Sequence, residues 1–251
     1  MPAYLGGDLA NLLELLGKPM TVEAAQFYAG CLVLALQHLH SLGIVYRDLK
    51  PVHWSIANQT ALADAELEYF DRKDTSIFVR FGLLNPGQLP ASLNIPKAAE
   101  ISVMIWTTTP WTLPANLAVA VAPEERYGLY QYEQNGNIFF TILGEGLSEK
   151  VLASTETSNI SALGFCTGVE LADAKPRYQH PFIERHGPIV VADYVTMEDG
   201  TGLVHTAPGH GEEDYRTGLR EGLDVYCPVR GDGTYDDTVP EWLKGKDVWS
   251  A

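Results

Sequence analysis

The stretch ISVMIWTTTPWTLPANLAVAVA, residues 101–122, decides the fold of this chain. It contains two short runs rich in β-branched residues, which favour strands, separated by a segment with two prolines. Similar runs occur on both sides of it: SIFVRF, YGLYQY, IFFTIL and PIVVADYV. Between YQYEQ and NIFFTIL, Asn135 and Gly136 predict a hairpin turn, because both central residues of that turn need positive φ. From about residue 75 onward the sequence therefore predicts a β-barrel or sandwich.

The first part of the chain has a helical pattern instead. Asp8 suits an N-cap ahead of LANLLELL, and a second helix is predicted to begin at Thr21 and to end at Gly43. We predict an α+β fold with three parts: a helical pair at 1–50, a linker at 51–75, and a mostly β domain of barrel type at 76–251.

Composition limits the classes of function. The net charge of −15 disfavours an exposed polyanion as partner, unless basic residues gather on one face. Three scattered cysteines are too few for a disulfide framework or a CxxC metal site. No apolar run is long enough to span a membrane, and the N-terminus lacks a secretory signal. We expect a monomer in the cytosol or in an organelle such as the mitochondrion or plastid.

The segments GGDLANLLELLG and TVEAAQFYAGCLVLALQHLHSLGIVYRDLKP resemble serine/threonine protein kinases of the AGC type. The resemblance implies that Asp48 accepts the substrate hydroxyl proton and that Lys50 steadies the transferring phosphoryl group. The family's magnesium-binding Asn falls on His53, however, and no Asp-Phe-Gly element follows to hold the other ion. We therefore expect the kinase-like fragment to be inactive.

Two longer motifs indicate a second family. They are WTTTPWTLPAN, residues 106–116, and GTGLVHTAPGHGEEDY, residues 200–215. With LKPVHWS and QTALADAELEY before them, they resemble the isoleucyl-tRNA synthetases from about residue 50 to the end. The resemblance implies an inserted editing domain that hydrolyses valine mischarged onto tRNA(Ile). Many relatives have a cysteine pair where Ser55 and Asn58 stand, so we expect no metal.

The chemistry of such a site suggests roles for two residues of the second motif. The site must hold a charged α-ammonium, the ester carbonyl, the terminal ribose and a water, and must refuse the larger cognate side chain. Asp214 is expected to bind the ammonium of the valyl group as its carboxylate partner. The resemblance implies that His205, nine residues earlier, borders the pocket and helps to exclude isoleucine.

The first motif would supply the remaining contacts. Thr107, Thr108 and Thr109 are expected to hydrogen-bond to water, carbonyl and terminal adenosine, while Trp106 and Asn116 shape the wall. No side chain is clearly a nucleophile, and the resemblance implies attack by water aided by the ribose hydroxyl of the substrate. We assign no general base and no cofactor to editing; ATP and magnesium would serve only a complete synthetase or kinase.

Alternatives remain for both motifs. The Thr-rich run is also compatible with an ordinary strand. His205, His210, Glu212 and Asp214 could bind zinc, although their spacing matches no common zinc signature.

The function also has alternatives. The chain could be a non-catalytic module that binds tRNA or an amino acid, a kinase or pseudokinase, or a junction of two unrelated genes within YRDLKPVHWS. The adenylate-forming signatures of the synthetase family do not occur in the 251 residues, so we expect no aminoacylation by this chain alone. The expected partner is the acceptor end of tRNA(Ile), bound weakly by an isolated editing domain.

Overall fold

The computed structural model describes residues 52–62, 66–68 and 74–249. All of them belong to one compact unit, Lys50–Ala251. The predicted helical pair, with the kinase-like Asp48 and Lys50, lies outside the described residues.

A short ribbon begins the described part. Strands β1 (Trp54–Ser55) and β2 (Thr60–Ala61) pair in antiparallel fashion. The indole Nε1 of Trp54 donates a hydrogen bond to the carbonyl of Gly231 at 2.8 Å. This bond attaches the ribbon to a loop far along the chain.

A nine-stranded mixed sheet follows. Its strands are β3 (Ile77–Leu83), β4 (Ile101–Thr107), β5 (Ala118–Val121), β6 (Arg126–Gln134), β7 (Asn137–Gly144), β8 (Ser158–Thr167), β9 (Arg177–Gln179), β10 (His186–Val191) and β11 (Leu203–Thr206). The strand order is β11-β5-β10-β9-β3-β4-β7-β6-β8. Strand β10 runs parallel to β5 and β4 runs parallel to β7, and the other neighbouring pairs are antiparallel.

The sequence patterns placed most of these strands correctly. The six runs quoted above form β3, β4, β5, β6, β7 and β10, whereas β8, β9 and β11 were not predicted. Asn135 and Gly136 have φ of 52° and 76°, as the predicted hairpin turn between β6 and β7 requires.

The prediction of a barrel needs correction, because the sheet is not closed. Closure would require the two end strands to pair, yet β11 hydrogen-bonds to β5 and β8 to β6, at opposite ends of the strand order. The sheet curls enough to bring β11 close to β4 without hydrogen bonds between them. The first part of β8, residues 158–162, is exposed, which suits an end strand.

The described residues contain three α-helices: α1 (Ser148–Ser154) between β7 and β8, α2 (Gly168–Asp173) between β8 and β9, and α3 (Glu212–Glu221) after β11. Helix α2 begins with a capping box formed by Thr167 and Glu170. The acidic first turn of α3 is favourable because the N-terminal end of a helix carries partial positive charge. In the described part of the chain, no helix has the length and apolarity that a membrane span requires.

Strand β5 lies between two apolar clusters. Val119 and Val121 pack in the main core, and Ala118 and Ala120 pack in a second cluster on the other face. Consecutive strand residues point to opposite faces, so this strand buries both. Strand β11, its neighbour, therefore also has one face toward each cluster.

Candidate functional site

The Thr-rich segment lies where β4 ends and a 3-10 helix, Pro110–Ala115, begins. Its own hydroxyls hold the turn: the Thr109 amide donates to Thr107 Oγ1 at 3.0 Å, and the Thr112 hydroxyl donates to the Thr109 carbonyl at 2.8 Å. The Oγ1 atoms of Thr107 and Thr109 are 3.2 Å apart. Local bonds of this kind stabilise turns, so the segment has a defined shape without substrate.

The three threonines predicted to act in catalysis differ in exposure. Thr108 and Thr109 are exposed and line an open cavity of about 700 Å³, whereas Thr107 is buried. The remaining lining is mainly apolar and aromatic, with Trp111 and Phe182 among its residues. Cavities of this size and character commonly bind small molecules. Two of the threonines thus face the cavity, while the third supports the turn.

His205, on β11, joins the two motifs. Its Nε2 lies 2.8 Å from Oγ1 of Thr112, and its Nδ1 lies 3.5 Å from Nδ2 of Asn116. Because Thr112 donates its only hydroxyl proton to the Thr109 carbonyl, it accepts from His205 Nε2–H. Nδ1 then accepts from the Asn116 amide, which fixes one neutral tautomer. Burial lowers the pKa of His205 to about 4, so the ring is neutral at neutral pH.

Asn116 lies beneath the cavity rather than on its surface, since the residue is only 1% exposed. Its Nδ2 donates to the Ala118 carbonyl at 2.9 Å, and its Oδ1 accepts from the Tyr178 hydroxyl at 2.6 Å. Burial raises the pKa of Tyr178 far above its usual value, so the hydroxyl keeps its proton. These side chains form what we call the His205 network: Tyr178, Asn116, His205 and Thr112.

Asp214 lies in the first turn of α3 and is partly buried. Its Oδ2 accepts from the Ala207 amide at 2.9 Å, and its Oδ1 accepts from the Tyr194 hydroxyl at 3.1 Å. The same hydroxyl lies 3.4 Å from Oγ1 of Thr206. Burial raises the pKa of Asp214, and its two hydrogen bonds oppose that rise. We call these residues the Asp214 network: Asp214, Tyr194, Thr206 and Ala207.

The Asp214 carboxylate has no cationic partner: within residues 52–62, 66–68 and 74–249, no Lys, Arg or His forms an ion pair with it. A partly buried carboxylate held only by neutral donors retains acceptor capacity and favours a cation as its remaining partner. The site is therefore suited to bind a positively charged group.

The two networks lie on opposite faces of β11. His205 and Thr206 are consecutive strand residues, so their side chains point in opposite directions. His205 is in register with Val119 of the main core, and Thr206 with Ala118 of the second cluster. The side chains of His205 and Asp214 share no hydrogen-bond partner among the described residues.

Trp106 contacts the beginning of the second motif. A Cβ atom added at Gly200 would lie 3.3 Å from Cε3 of Trp106, and Gly200 has a φ of +80°. Glycine adopts this backbone region without strain. Trp106 precedes Thr107 on β4 and so points to the other face of the strand. It supports the turn at Gly200 and does not line the 700 Å³ cavity.

Two further histidines are largely buried near these motifs. His180 accepts a backbone amide at Nδ1 and donates from Nε2 to the Leu113 carbonyl at 2.9 Å. His210 lies edge-on to the Trp111 ring, with 5.3 Å between ring centroids, and its buried Nε2 has no hydrogen-bond partner among the described residues. Burial lowers the pKa of both to about 4. We call His180, His205 and His210 the three neutral histidines.

The zinc interpretation receives no support from this geometry. In the described part of the chain, no group of three or more His, Cys, Asp or Glu is arranged to hold a metal ion. Both ring nitrogens of His205 are occupied by Thr112 and Asn116.

Sequence reasoning missed five residues of these networks: Thr112, Thr206, Ala207, Tyr178 and Tyr194. Thr112 stands inside the first motif and bonds to the turn three residues before it, which is a local signal that could have been used. Tyr178 and Tyr194 have no such signal, because their partners Asn116 and Asp214 are 62 and 20 residues away in sequence. Only the fold brings these pairs together.

Known proteins with similar sequences belong to the class of enzyme that the two motifs indicate. The model of the family described as leucyl-tRNA synthetase, editing domain, matches residues 89–241. The isoleucine-tRNA ligase of Nitratidesulfovibrio vulgaris (strain DP4) is 42% identical over 224 residues, 89% of this chain and 23% of that protein. The isoleucine-tRNA ligase of Carboxydothermus hydrogenoformans is 44% identical over 196 residues, 78% of this chain and 20% of that protein.

The chain thus spans less than a quarter of the length of these relatives. A solved structure, the P. knowlesi cytosolic leucyl-tRNA synthetase editing domain, has a TM-score of 0.51 and 14% sequence identity, and the match covers 61% of this chain and 66% of that one. This likeness concerns the fold alone. Because the family model covers more than half of the chain, the protein belongs to the leucyl-tRNA synthetase editing domain family, and the relatives described above are isoleucine-tRNA ligases.

Proposed function

We propose that the chain carries the post-transfer editing site of an isoleucyl-tRNA synthetase and hydrolyses valine from mischarged tRNA(Ile). The observation that supports this most directly is the partly buried Asp214 carboxylate, which has two neutral hydrogen-bond donors and no cationic partner in the described part of the chain. An aminoacyl ester presents one α-ammonium group, and a charge-assisted hydrogen bond to Asp214 would fix its position. The ester bond would then lie at a defined place in the site.

The threonines would hold the rest of the reacting groups. Thr108 and Thr109 expose hydroxyls that can donate and accept, as the attacking water, the ester carbonyl and the terminal adenosine require. Thr107 keeps Thr109 in place through its Oγ1. Rate enhancement would come mainly from positioning, which alone contributes strongly when the reacting atoms are aligned.

His205 is proposed to act in selection and not as a base. Its ring is neutral, and both nitrogens are engaged within the protein. A ring fixed in this way presents a constant surface, which can exclude the larger isoleucyl group sterically. A pocket discriminates between side chains that differ by one methylene group by about 1–3 kcal/mol. Selection at the editing site would therefore add to the selection at a synthetic site.

The editing domain would comprise residues 76–251, and its substrate would be valine esterified to the acceptor end of tRNA(Ile). Editing needs no nucleotide or metal under this proposal, since water supplies the attacking oxygen and the free ribose hydroxyl of the substrate assists it. ATP and magnesium would be used only by a complete synthetase.

The experiment measures valine released from Val-tRNA(Ile) by the full 251-residue chain. Asp214→Ala is expected to abolish release, and EDTA is expected to leave it unchanged. Asp237→Ala is the matched control, because Asp237 is an exposed carboxylate whose side chain is 84% accessible. Equal hydrolysis of Val-tRNA(Ile) and Ile-tRNA(Ile) would contradict the selectivity, and full activity of Asp214→Ala would contradict the role of this residue.

A non-catalytic binding module is the second candidate, favoured by the net charge of −15, which disfavours productive binding of a polyanion such as tRNA. The same assay separates the two, since a binding module gives a measurable affinity without valine release. The kinase interpretation depends on Asp48 and Lys50, which lie outside the described residues. His53, in the place of a magnesium-binding Asn, is exposed and is a poor ligand for a hard cation. Magnesium-dependent nucleotide binding is therefore not expected.

A further inference from the structure

Tyr194 lies in the segment after β10 and is anchored by its ring. The ring packs against the second cluster, which includes Ala118, Ala120 and Val190. Its hydroxyl lies 3.1 Å from Oδ1 of Asp214. Because the core holds the ring, the position of the hydroxyl is fixed before any substrate binds.

The carboxylate needs this second contact. The last torsion of an Asp side chain has broad minima, so one hydrogen bond does not define the plane of the carboxylate. The Ala207 amide holds Oδ2 at 2.9 Å, and the Tyr194 hydroxyl holds Oδ1 from the other side. Together they fix the plane and leave the remaining lone pairs of both oxygens for a ligand.

We propose that Tyr194 is a positioning residue for substrate binding, whose hydroxyl holds the Asp214 carboxylate in the orientation that receives the α-ammonium of the aminoacyl ester. This inference rests on the proposed function of Asp214. It assigns Tyr194 no contact with the reacting atoms.

The direction of the hydrogen bond follows from the charges around it. Burial raises the pKa of Tyr194 to about 12, so the phenol is protonated and donates to Asp214. Besides Tyr194, the titratable group among the described residues that acts on Asp214 is Glu213, whose negative charge raises the pKa of Asp214. Removing the Tyr194 hydroxyl therefore raises the pKa of Asp214 further.

The test uses Tyr194→Phe in the full chain, with valine release from Val-tRNA(Ile) measured between pH 5 and 8. We expect the acid limb of kcat/KM to move to higher pH by about 0.5–1 unit, because the lost bond is worth about 1 kcal/mol to the ionised form. We also expect KM to rise by roughly threefold to tenfold, with a smaller change in kcat, because the lost contact serves binding. Tyr132→Phe is the matched control: Tyr132 is 1% exposed, and its hydroxyl bonds to Thr141 at 3.1 Å in another part of the sheet. That variant should lower stability without moving the pH profile.

A double variant separates this inference from the proposed function. If Tyr194 acts through Asp214, Tyr194→Phe costs nothing further in an Asp214→Asn background. A pH profile and KM unchanged in Tyr194→Phe, while Asp214→Ala abolishes release, would overturn the inference and leave the proposed function standing. Release unaffected by Asp214→Ala would overturn both.

Poor folding of Tyr194→Phe would not leave the question open. Site-specific 3-fluorotyrosine at position 194 retains the hydrogen bond with a more acidic donor, so the acid limb should move to lower pH. An unchanged limb with fluorotyrosine would contradict the positioning role.

Discussion

Thr112→Val tests the His205 network with little change in side-chain shape. The hydroxyl of Thr112 accepts from His205 Nε2–H and donates to the Thr109 carbonyl, both at 2.8 Å. Valine would leave the buried Nε2–H without an acceptor, at a cost of about 1–3 kcal/mol. The Thr109 carbonyl keeps the Thr112 amide as donor at 3.0 Å, so the second lost bond costs only about 1 kcal/mol.

We expect the free energy of unfolding to fall by about 2–4 kcal/mol, and the thermal midpoint by about 5–15 °C. Valine release should fall by roughly 10- to 100-fold in kcat/KM, because a small displacement of the Thr109 turn spoils the alignment of the reacting groups. Circular dichroism measures the first effect and the Val-tRNA(Ile) assay the second.

Two controls make the result specific. Thr112→Ser retains the hydroxyl and should keep most of the activity. Thr141→Val removes another buried hydroxyl, which lies 2.9 Å from Ser102 Oγ and 3.1 Å from the Tyr132 hydroxyl, and should lower stability without affecting valine release. If Thr112→Val matched Thr112→Ser in both midpoint and release, the reasoning on the His205 network would be refuted.

Two further predictions concern the turn at Gly200 and the effect of pH. Gly200→Ala should lower the free energy of unfolding by about 1–2 kcal/mol, because φ is +80° and the new Cβ would contact Trp106. Chemical denaturation measures this change. Gly87→Ala is the control and should have a smaller effect, because a Cβ at that position meets open space. The three neutral histidines have folded pKa values of about 4, below the reference of about 6.5, so the unfolded state binds more protons between these values. The stability that the neutral histidines contribute is then fully present above about pH 6.5 and is lost as pH falls toward 4. Thermal unfolding at a series of pH values measures this loss. A thermal midpoint that rises on acidification through this window would contradict the prediction.

Local patterns predicted much of the sheet because the relevant information lies in neighbouring residues. The runs that became β4 and β5 are rich in branched side chains, and Asn135 with Gly136 supplied the positive φ of a hairpin. Strand β8 was not predicted, because its residues 158–162 are exposed and show no alternation of apolar and polar side chains. Whether the sheet closes depends on pairing between its end strands, which no local pattern encodes.

Recognition of the editing motifs was confirmed at the level of the family, while the roles of individual residues stay predictions. The motifs identified Asp214 and the threonines as candidate site residues, but they did not predict that Asn116 is only 1% exposed beneath the cavity. Burial is a property of the assembled sheet. For the same reason the partners of Asp214, Tyr194 above all, could not be read from a motif.

The position of β11 between two networks has a consequence for how this site can change. His205 and Thr206 are adjacent in sequence, yet one belongs to the network beneath the threonines and the other to the network around Asp214. Since the networks share no side-chain partner among the described residues, substitutions in one should add to those in the other with little coupling. Under the proposed function, substitutions in the His205 network could therefore alter which amino acid is rejected without weakening the binding of the substrate's ammonium by Asp214.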